Sequence, residues 1–193
     1  MVLQEVNPTQ AQQLQKNLED LYPTVFSMPA SNPFGSMILS RLPMLRAERQ
    51  IIPKTKTLYS HVELEVPSLK TPLHLYEIHA YPPINQTLVE ERKQALEGLA
   101  RIIEDNPSEL KIVVGDLNLT PYNPLFKAFE RKLSIRRISG LKVTWPMFLP
   151  SFLRIAIDHC FISGKIAYQH HAILRDDFNS DQAAQRADLL LIP

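Results

Sequence analysis

The clearest pattern in the chain is an alternation of apolar and polar residues between positions 58 and 78. From Leu58 to Val66 the even-numbered residues are mostly apolar and the odd-numbered residues are mostly polar. Because successive residues of a strand face opposite sides of a sheet, this segment predicts a half-buried strand. Leu73 to Ile78 alternates as well, so residues 63–81 are expected to form a hairpin that turns at residues 67–72.

The longest helical pattern covers residues 86–105. Charged residues from Glu90 to Lys93 are expected mostly outside its apolar stripe. Asn106-Pro107 should end this helix, because proline disfavours helical geometry in the residue before it. The stripe consists of Leu88, Ala95, Leu96, Leu99, Ile102 and Ile103.

Shorter patterns predict the remaining elements. Two helices are expected, at residues 9–21 and 124–133. The segments 155–163 and 166–174 are expected to pair as a hairpin across Gly164-Lys165. Further strands are predicted at residues 2–6, 37–39, 111–115 and 186–192. Strands mixed with a few long helices indicate a layered α/β fold.

Composition narrows the class of protein. The 193 residues suggest one domain, and 45% hydrophobic residues are enough for a sizeable core. A net charge of +1 neither favours nor excludes nucleic acid as a partner. The single cysteine, Cys160, fits a reducing compartment and is expected to be a buried, inert thiol. We find no signal peptide and no membrane segment, so a cytoplasmic location is expected.

The strongest candidate chemistry lies where the apolar run 111–115 ends. Asp116 and Asn118 follow it, and residues two apart on a strand share a face. Such a pair can bind a hard cation or a phosphate oxygen, although it can also simply form a turn that ends a strand. Two later acidic residues, Asp158 and Asp181, add weight to the first interpretation. The adjacent His170 and His171 lack a third ligand at metal spacing, so they do not predict zinc.

These residues resemble the motifs of the endonuclease/exonuclease/phosphatase superfamily, the deoxyribonuclease-like metal-dependent phosphoesterases. The similarity runs through nearly the whole chain in the expected order. The fold it implies is a four-layer sandwich of two mainly antiparallel sheets flanked by helices. The matching segments are Gln4-Glu5, Leu39-Ser40-Arg41, Glu77-Ile78-His79-Ala80, Gly115-Asp116-Leu117-Asn118, Thr144-Trp145-Pro146 and Ile157-Asp158-His159.

The resemblance implies a role for each candidate residue. Metal-ligand positions for Mg²⁺ or Mn²⁺ are Glu5, Asp116, Asn118 and Asp181. His79 would contact the phosphate or protonate the leaving oxygen, and Asp158 would orient a final histidine. Arg41, Asn118 and Trp145 would bind substrate. Each residue also has a plain structural alternative. Glu5 could be a solvated residue near the terminus, His79 a core histidine and Arg41 a surface arginine. Trp145 could belong to the core, and the acidic residues could simply form turns.

Two departures from the family pattern fall on this machinery. The family ends its motifs with Ser-Asp-His, and here the last position is Gln182, whose amide cannot accept a proton near neutral pH. Its amide is expected to donate to Asp158 instead. The family also begins with a strand that carries a metal-site asparagine, several tens of residues before Gln-Glu. With Glu5 so early, we expect one domain over residues 1–193 that lacks this strand.

Three hypotheses therefore remain from the sequence. The chain is a magnesium-dependent phosphoesterase acting on a phosphodiester or phosphomonoester, or a degenerate relative that binds without turnover. The third is a sequence that begins too late. The substrate class, including nucleic acid, is not fixed by motifs that these relatives share.

Overall fold

A computed structural model describes residues 1–133, 135–174 and 180–191. Its helices are α1 (Pro8–Leu18), α2 (Gln86–Asp105) and α3 (Pro124–Lys132), with a short 3₁₀ helix at Ser151–Leu153. Its strands are β1 (Val2–Gln4), β2 (Thr24–Met28), β3 (Ser36–Ser40), β4 (Met44–Ile51), β5 (Leu58–Leu64), β6 (Leu73–Ile78), β7 (Lys111–Asp116), β8 (Arg136–Arg137), β9 (Asp158–Ile162), β10 (Ile166–Ile173) and β11 (Gln185–Leu191).

The central layer is a six-stranded sheet with the order β4-β5-β6-β7-β9-β8. Strands β5 and β6 pair antiparallel, which confirms the predicted hairpin. Strands β6 and β7 pair parallel, because the chain crosses over between them through α2. The other neighbours in this sheet pair antiparallel.

Two smaller antiparallel sheets form the facing layer. One has the order β1-β3-β2 and the other pairs β10 with β11. Their apolar side chains meet those of the six-stranded sheet in one core, where Ile38 of β3 and Ile166 of β10 pack with Val62 and Leu75. These contacts make the two smaller sheets one face of a sandwich.

Helices cover both outer faces of this sandwich. Leu96 and Leu99 of α2 and Phe126 of α3 pack against Tyr76 and Val113 of the six-stranded sheet. On the other side, α1 packs on the three-stranded sheet through a smaller cluster around Ala11 and Leu39. The predicted four-layer sandwich is therefore confirmed.

Several predictions about elements were wrong. Residues 155–163 and 166–174 do not form a hairpin, because β9 pairs with β7 and β8 while β10 pairs with β11. Strands β2 and β4 were not predicted. Strand β5 is covered on both faces rather than half-buried, since Tyr59 packs in the cluster under α2 and His61 is buried against Tyr76. Helix α1 ends at Leu18, before the predicted Leu21.

The long helix holds a further correction. Arg92 was expected outside the apolar stripe of α2, but it is only 5% exposed. It lies four residues from both Leu88 and Leu96, so helical spacing puts it on the stripe itself. None of the described helices is both long enough and apolar enough to span a membrane.

Candidate active site

Sheet topology brings three of the predicted residues to one edge of the central sheet. Because β6 and β7 run parallel, His79 directly after β6 lies beside Asp116 at the end of β7. Strand β9 runs antiparallel to β7 and begins at this edge, where Asp158 pairs with Asp116 across the ladder. Two carboxylates and an imidazole therefore meet where the buried strands end.

Gln4 ties the facing layer to this edge. Its Nε2 donates to Oε1 of Glu77 at 2.6 Å and to the carbonyl oxygen of Ile78 at 2.9 Å. Its Oε1 accepts a hydrogen bond from the backbone N–H of Asp116 at 3.0 Å. Both ends of the Gln4 amide thus bridge the two sheets, and the chain that follows is fixed at the site.

Glu5 emerges from this bridge in a left-handed backbone conformation, with φ 60°. Such a conformation is uncommon for a residue other than glycine and is found where surrounding structure imposes it. The Glu5 Oε1 lies 3.9 Å from Nε2 of His79, and the same nitrogen lies 3.8 Å from Oδ2 of Asp116. The structure thus brings Glu5, His79 and Asp116 together.

Gly115 on β7 lets β1 and β6 approach β7 closely. Its φ is 139°, a conformation that side chains disfavour. A Cβ here would lie 1.9 Å from the carbonyl oxygen of Ile78 and 2.9 Å from Nε2 of Gln4. The glycine of the Gly-Asp-Leu-Asn segment is therefore required by the packing of the site.

A turn, not strand alternation, places Asn118 at the site. Strand β7 ends at Asp116, and Asn118 has φ 48°. The Asn118 backbone N–H donates to Oδ1 of Asp116 at 2.6 Å, and its side-chain Nδ2 donates to the carbonyl oxygen of Ala80 at 2.9 Å. The predicted association with Asp116 is present, but the shared strand face that suggested it is absent.

Asp181 joins the site from the segment before β11. The indole Nε1 of Trp145 donates to its Oδ2 at 3.1 Å. The Asp181 charge also contributes to raising the pKa of Glu5 and of Asp158. Trp145 is half-exposed and therefore belongs to the rim of the site rather than to the core.

Asp116 is buried and Asp158 is half-buried, with Glu5 and Asp181 more exposed beside them. Burial, followed by the negative charge of Asp158, raises the pKa of Asp116 to about 8. Burial also raises the pKa of Asp158 to about 6, with a hydrogen bond from the Thr144 side chain opposing the rise. The pKa of Glu5 is raised by burial and then by Asp181. Neighbouring carboxyl groups that cannot all be ionised at once favour the binding of a cation, because its positive charge stabilises their ionised forms.

A divalent cation fits these residues. Carboxylate and carboxamide oxygens are the ligands that Mg²⁺ and Mn²⁺ prefer. Among the described residues, Oδ2 of Asp158 is buried without a hydrogen-bond partner. An unsatisfied buried carboxylate oxygen is costly, and a bound cation or a substrate group would relieve this cost. Glu5, Asp116, Asn118 and Asp181 could together hold such an ion.

His79 contributes a neutral imidazole beside these acids. It is 8% exposed, and burial lowers the pKa of its ring, with the charge of Arg49 acting in the same direction. Its ring packs at a tilt against Phe34, with 5.1 Å between centroids. A neutral ring at this position can donate one hydrogen bond to a phosphate oxygen.

Gln182 does not lie where the sequence suggested. Its Nε2 donates to Oδ2 of Asp116 at 2.9 Å, not to Asp158. The amide satisfies the more deeply buried of the two carboxylates, since Asp116 is only 1% exposed. The neighbouring His159 is no replacement, because its Nε2 bonds to the carbonyl oxygen of Leu119 and burial lowers its pKa to about 4.

Other sequence predictions have mixed outcomes. Burial raises the pKa of the Cys160 thiol to about 12, so it is inert as expected. Arg41 is exposed, and its guanidinium lies over the ring of Tyr22 at 5.5 Å. Within the described residues no hydrogen bond or ion pair joins Arg41 to the site, and its substrate role stays a prediction.

Sequence reasoning missed three supporting residues. Gln4 was noted as part of a motif without its bridging role. Arg92 donates from α2 to the carbonyl oxygen of Asn118. Thr144 is fully buried, and its hydroxyl accepts long hydrogen bonds from the backbone of Ile157 and Asp158. Thr144, like Gln4, belonged to a matched motif, and helical spacing was the available signal for Arg92.

Residues 1–181 match the Endonuclease/Exonuclease/phosphatase family, and the chain belongs to this family. A search of curated proteins found no match. The resemblance inferred from the motifs is therefore confirmed at the level of the family.

Solved structures share the fold at low sequence identity. A functionally unknown conserved protein from Enterococcus faecalis is 16% identical with a TM-score of 0.79, covering 98% of this chain and 84% of that one. A mannosyl-6-phosphatase from Bacteroides thetaiotaomicron is 15% identical, with a TM-score of 0.77 and coverage of 97% and 84%. Humanized D. rerio TDP2 with 14 mutations is 18% identical, with a TM-score of 0.73 and coverage of 98% and 84%. At such identities the likeness establishes the fold alone.

Proposed function

We propose that this protein is a metal-dependent phosphoesterase that uses Mg²⁺ or Mn²⁺ to hydrolyse a phosphate ester. The observation that carries the proposal is the convergence of Glu5, His79 and Asp116 within 4 Å contacts. Family membership supports the same reaction class. The raised pKa values of the buried acids support a cation at this position, because a positive charge would restore their ionised forms.

Each residue has a role in this proposal. A bound divalent cation would polarise the phosphate and lower the pKa of a water molecule. Glu5, Asp116, Asn118 and Asp181 would supply oxygens for the ion, and Asp116 and Asn118 would also hold the water and the phosphate. His79, neutral through burial, donates a hydrogen bond to a phosphate oxygen or to the leaving oxygen. Asp158 supports these groups from the opposite strand.

A cavity lies behind Phe34, the residue whose ring packs on His79, although none of the candidate site residues that the structure describes lines it. Its volume is about 340 Å³, and Phe34 and Tyr81 contribute aromatic walls. Arg49 and Lys56 supply positive charge in the same cavity. Such a lining suits an anionic ester with an apolar or aromatic group. Both a phosphodiester and a phosphomonoester are compatible with it, and nucleic acid remains one candidate substrate.

A second function is favoured by one observation. By the resemblance of the motifs, Gln182 stands where the family has its final histidine, and its amide donates to Asp116. Without a general base there, the protein would bind a phosphate ester and metal but turn over slowly or not at all. In that case it is a degenerate member of the family that acts through binding.

Hydrolysis of a nitrophenyl phosphomonoester and of a bis-nitrophenyl phosphodiester tests the proposal. We expect product with Mn²⁺ or Mg²⁺, none with a chelator, and loss of the activity in His79→Gln. The matched control is His170→Gln, an exposed histidine on β10. It should leave the rate unchanged.

Two results would decide against turnover. Hydrolysis that survives both the chelator and His79→Gln would arise elsewhere in the molecule. No hydrolysis of either ester, combined with metal-dependent binding of inorganic phosphate that His79→Gln weakens, would favour the binding protein instead.

A further inference from the structure

Three metal-ligating side chains meet far from the candidate active site. His61 and Glu63 lie two residues apart on β5, and Glu63 pairs directly with His74 on β6. One ligand atom from each lies within 4.8 Å of the others. Residues at i and i+2 of one strand and at the facing position of the next strand share one face of the sheet. The register of this hairpin therefore builds the cluster.

This cluster is separate from the catalytic carboxylates. His74 precedes His79 by five residues along the chain at the opposite end of β6, which corresponds to roughly 16 Å at the rise of an extended strand. His61 stacks on Tyr76 with 4.5 Å between ring centroids, and Tyr76 belongs to the core under α2. The cluster thus faces the helix layer, beyond the C-terminal end of α2.

The hydrogen bonds around His61 leave a lone pair directed at its neighbour. His61 is buried, only 9% exposed. Its Nδ1 lies 3.5 Å from Oε1 of Glu48, which can only accept, so the ring proton belongs on Nδ1. The free electron pair on Nε2 then faces Nδ1 of His74 at 2.9 Å.

The hydrogen-bond partners of His74 favour a lone pair on its Nδ1. The Oδ1 of Asn106 accepts a hydrogen bond from the backbone N–H of Ser108 at 2.8 Å, which fixes the orientation of its amide. The Asn106 Nδ2 therefore faces Nδ1 of His74 at 3.0 Å and can only donate. With the His74 proton on Nδ1 the two rings share an ordinary hydrogen bond. With it on Nε2, the arrangement that the second hydrogen of the Asn106 amide favours, two lone pairs face each other beside the Glu63 carboxylate. A shared cation resolves this contact.

The surroundings match those of a metal site. Glu48 holds the outer nitrogen of His61, an arrangement typical of metal-bound histidines. Arg46 lies in the same region, but its charge is paired with Glu48 at 2.8 Å. A cavity of about 960 Å³ reaches all three ligands and gives an ion a path from solvent. Lys111, whose charge opposes His74 protonation, is directed instead at the carbonyl oxygen of Ile103.

We propose that His61, Glu63 and His74 form a second metal site, which takes a divalent transition ion such as Zn²⁺. Two imidazoles and a carboxylate are a known zinc ligand set that keeps one coordination position open. Here the open position faces the cavity. Mg²⁺ is not expected to bind here, because it prefers oxygen ligands to imidazole nitrogens. The site is independent of the proposed phosphoesterase centre.

Calorimetric titration of the full chain with Zn²⁺ tests this proposal. Asp116→Asn serves as the background, to weaken binding at the candidate active site. We expect saturable binding that Mg²⁺ in excess does not displace. Glu63→Gln keeps the size of the side chain and should weaken binding strongly. Glu48→Gln should weaken it by about 10–100-fold, the cost of losing an outer hydrogen-bonding partner.

His170→Ala is the matched control, because this histidine is exposed and distant in sequence from the three ligands. It should leave the affinity unchanged. Visible absorption of bound Co²⁺ gives a second readout. Co²⁺ with four or five ligands has strong visible bands, and these should disappear in His74→Ala. Zn²⁺ affinity that is the same in Glu63→Gln and His74→Ala as in the background would overturn the proposal. The absence of saturable Zn²⁺ binding would also overturn it.

Discussion

Asp116 should be essential for the proposed function and yet destabilise the metal-free protein. It is 1% exposed and faces Asp158 across the ladder, so its charge is buried beside another acid. Asp116→Asn removes the charge and keeps the shape. The asparagine can still accept from the Asn118 backbone and can donate to Gln182 if that amide rotates. We expect higher stability without metal and no catalysis.

The size of this effect follows from the pKa of Asp116, which burial raises from 3.8 to about 8. Between these values the folded state binds more protons than the unfolded state. Its stability is therefore complete below the ordinary value and is lost as the pH rises towards 8. Each pH unit corresponds to about 1.4 kcal/mol, so at pH 7 the charge costs at most about 4 kcal/mol. The negative charge of Asp158 contributes part of this cost.

Thermal unfolding in a chelator across pH 5 to 8 measures the effect. For a chain of this size, each kcal/mol corresponds to roughly 2–4 °C in the melting temperature. The wild type should lose stability as pH rises, and Asp116→Asn should lose less, so their difference grows with pH. Mg²⁺ should stabilise the wild type more than the variant. The exposed Asp20→Asn is the matched control. A variant less stable than the wild type at pH 7.5 would refute the reasoning.

Three further perturbations have definite expected outcomes. Gly115→Ala should lower the melting temperature sharply or prevent folding, because the added Cβ would lie 1.9 Å from the Ile78 carbonyl oxygen. The control Gly164→Ala places its Cβ in open space and should be tolerated. Equal melting temperatures of the two variants would contradict this. Gln4→Ala should cost about 1–3 kcal/mol in urea unfolding, since it leaves buried polar groups unpaired; an unchanged midpoint would count against the bridging role. Gln182→His should raise ester hydrolysis, by up to about 10²–10⁴-fold if its imidazole acts as the base; no gain in a folded variant would show that more than this residue is missing.

The sequence predicted the elements whose pattern is local. Helix α2 and the β5–β6 hairpin were found at nearly their observed bounds, because a continuous stripe or alternation specifies them. The pairing of β10 was wrong because Gly164 favours a turn but does not decide which sheet the next strand joins. That choice depends on contacts with β11, which lie far away in sequence.

The convergence of the motif residues was predictable from the sequence, but their contacts were not. Motif positions identified Glu5, His79 and Asp116, whereas the bond from Gln182 to Asp116 depends on the three-dimensional path of two loops. The cluster of His61 with His74 was missed for a related reason. Alternation marked His61 as a polar, outward position, and only the placement of the helix layer shows that it is buried.

The most direct test of the central claim is anomalous diffraction from crystals of the protein soaked in Mn²⁺. The account predicts a peak bonded to Glu5 and to at least one of Asp116, Asn118 and Asp181. It also predicts that the peak disappears in crystals of Asp181→Ala or becomes much weaker. A well-ordered site with no peak at these carboxylates in saturating Mn²⁺ would contradict the account.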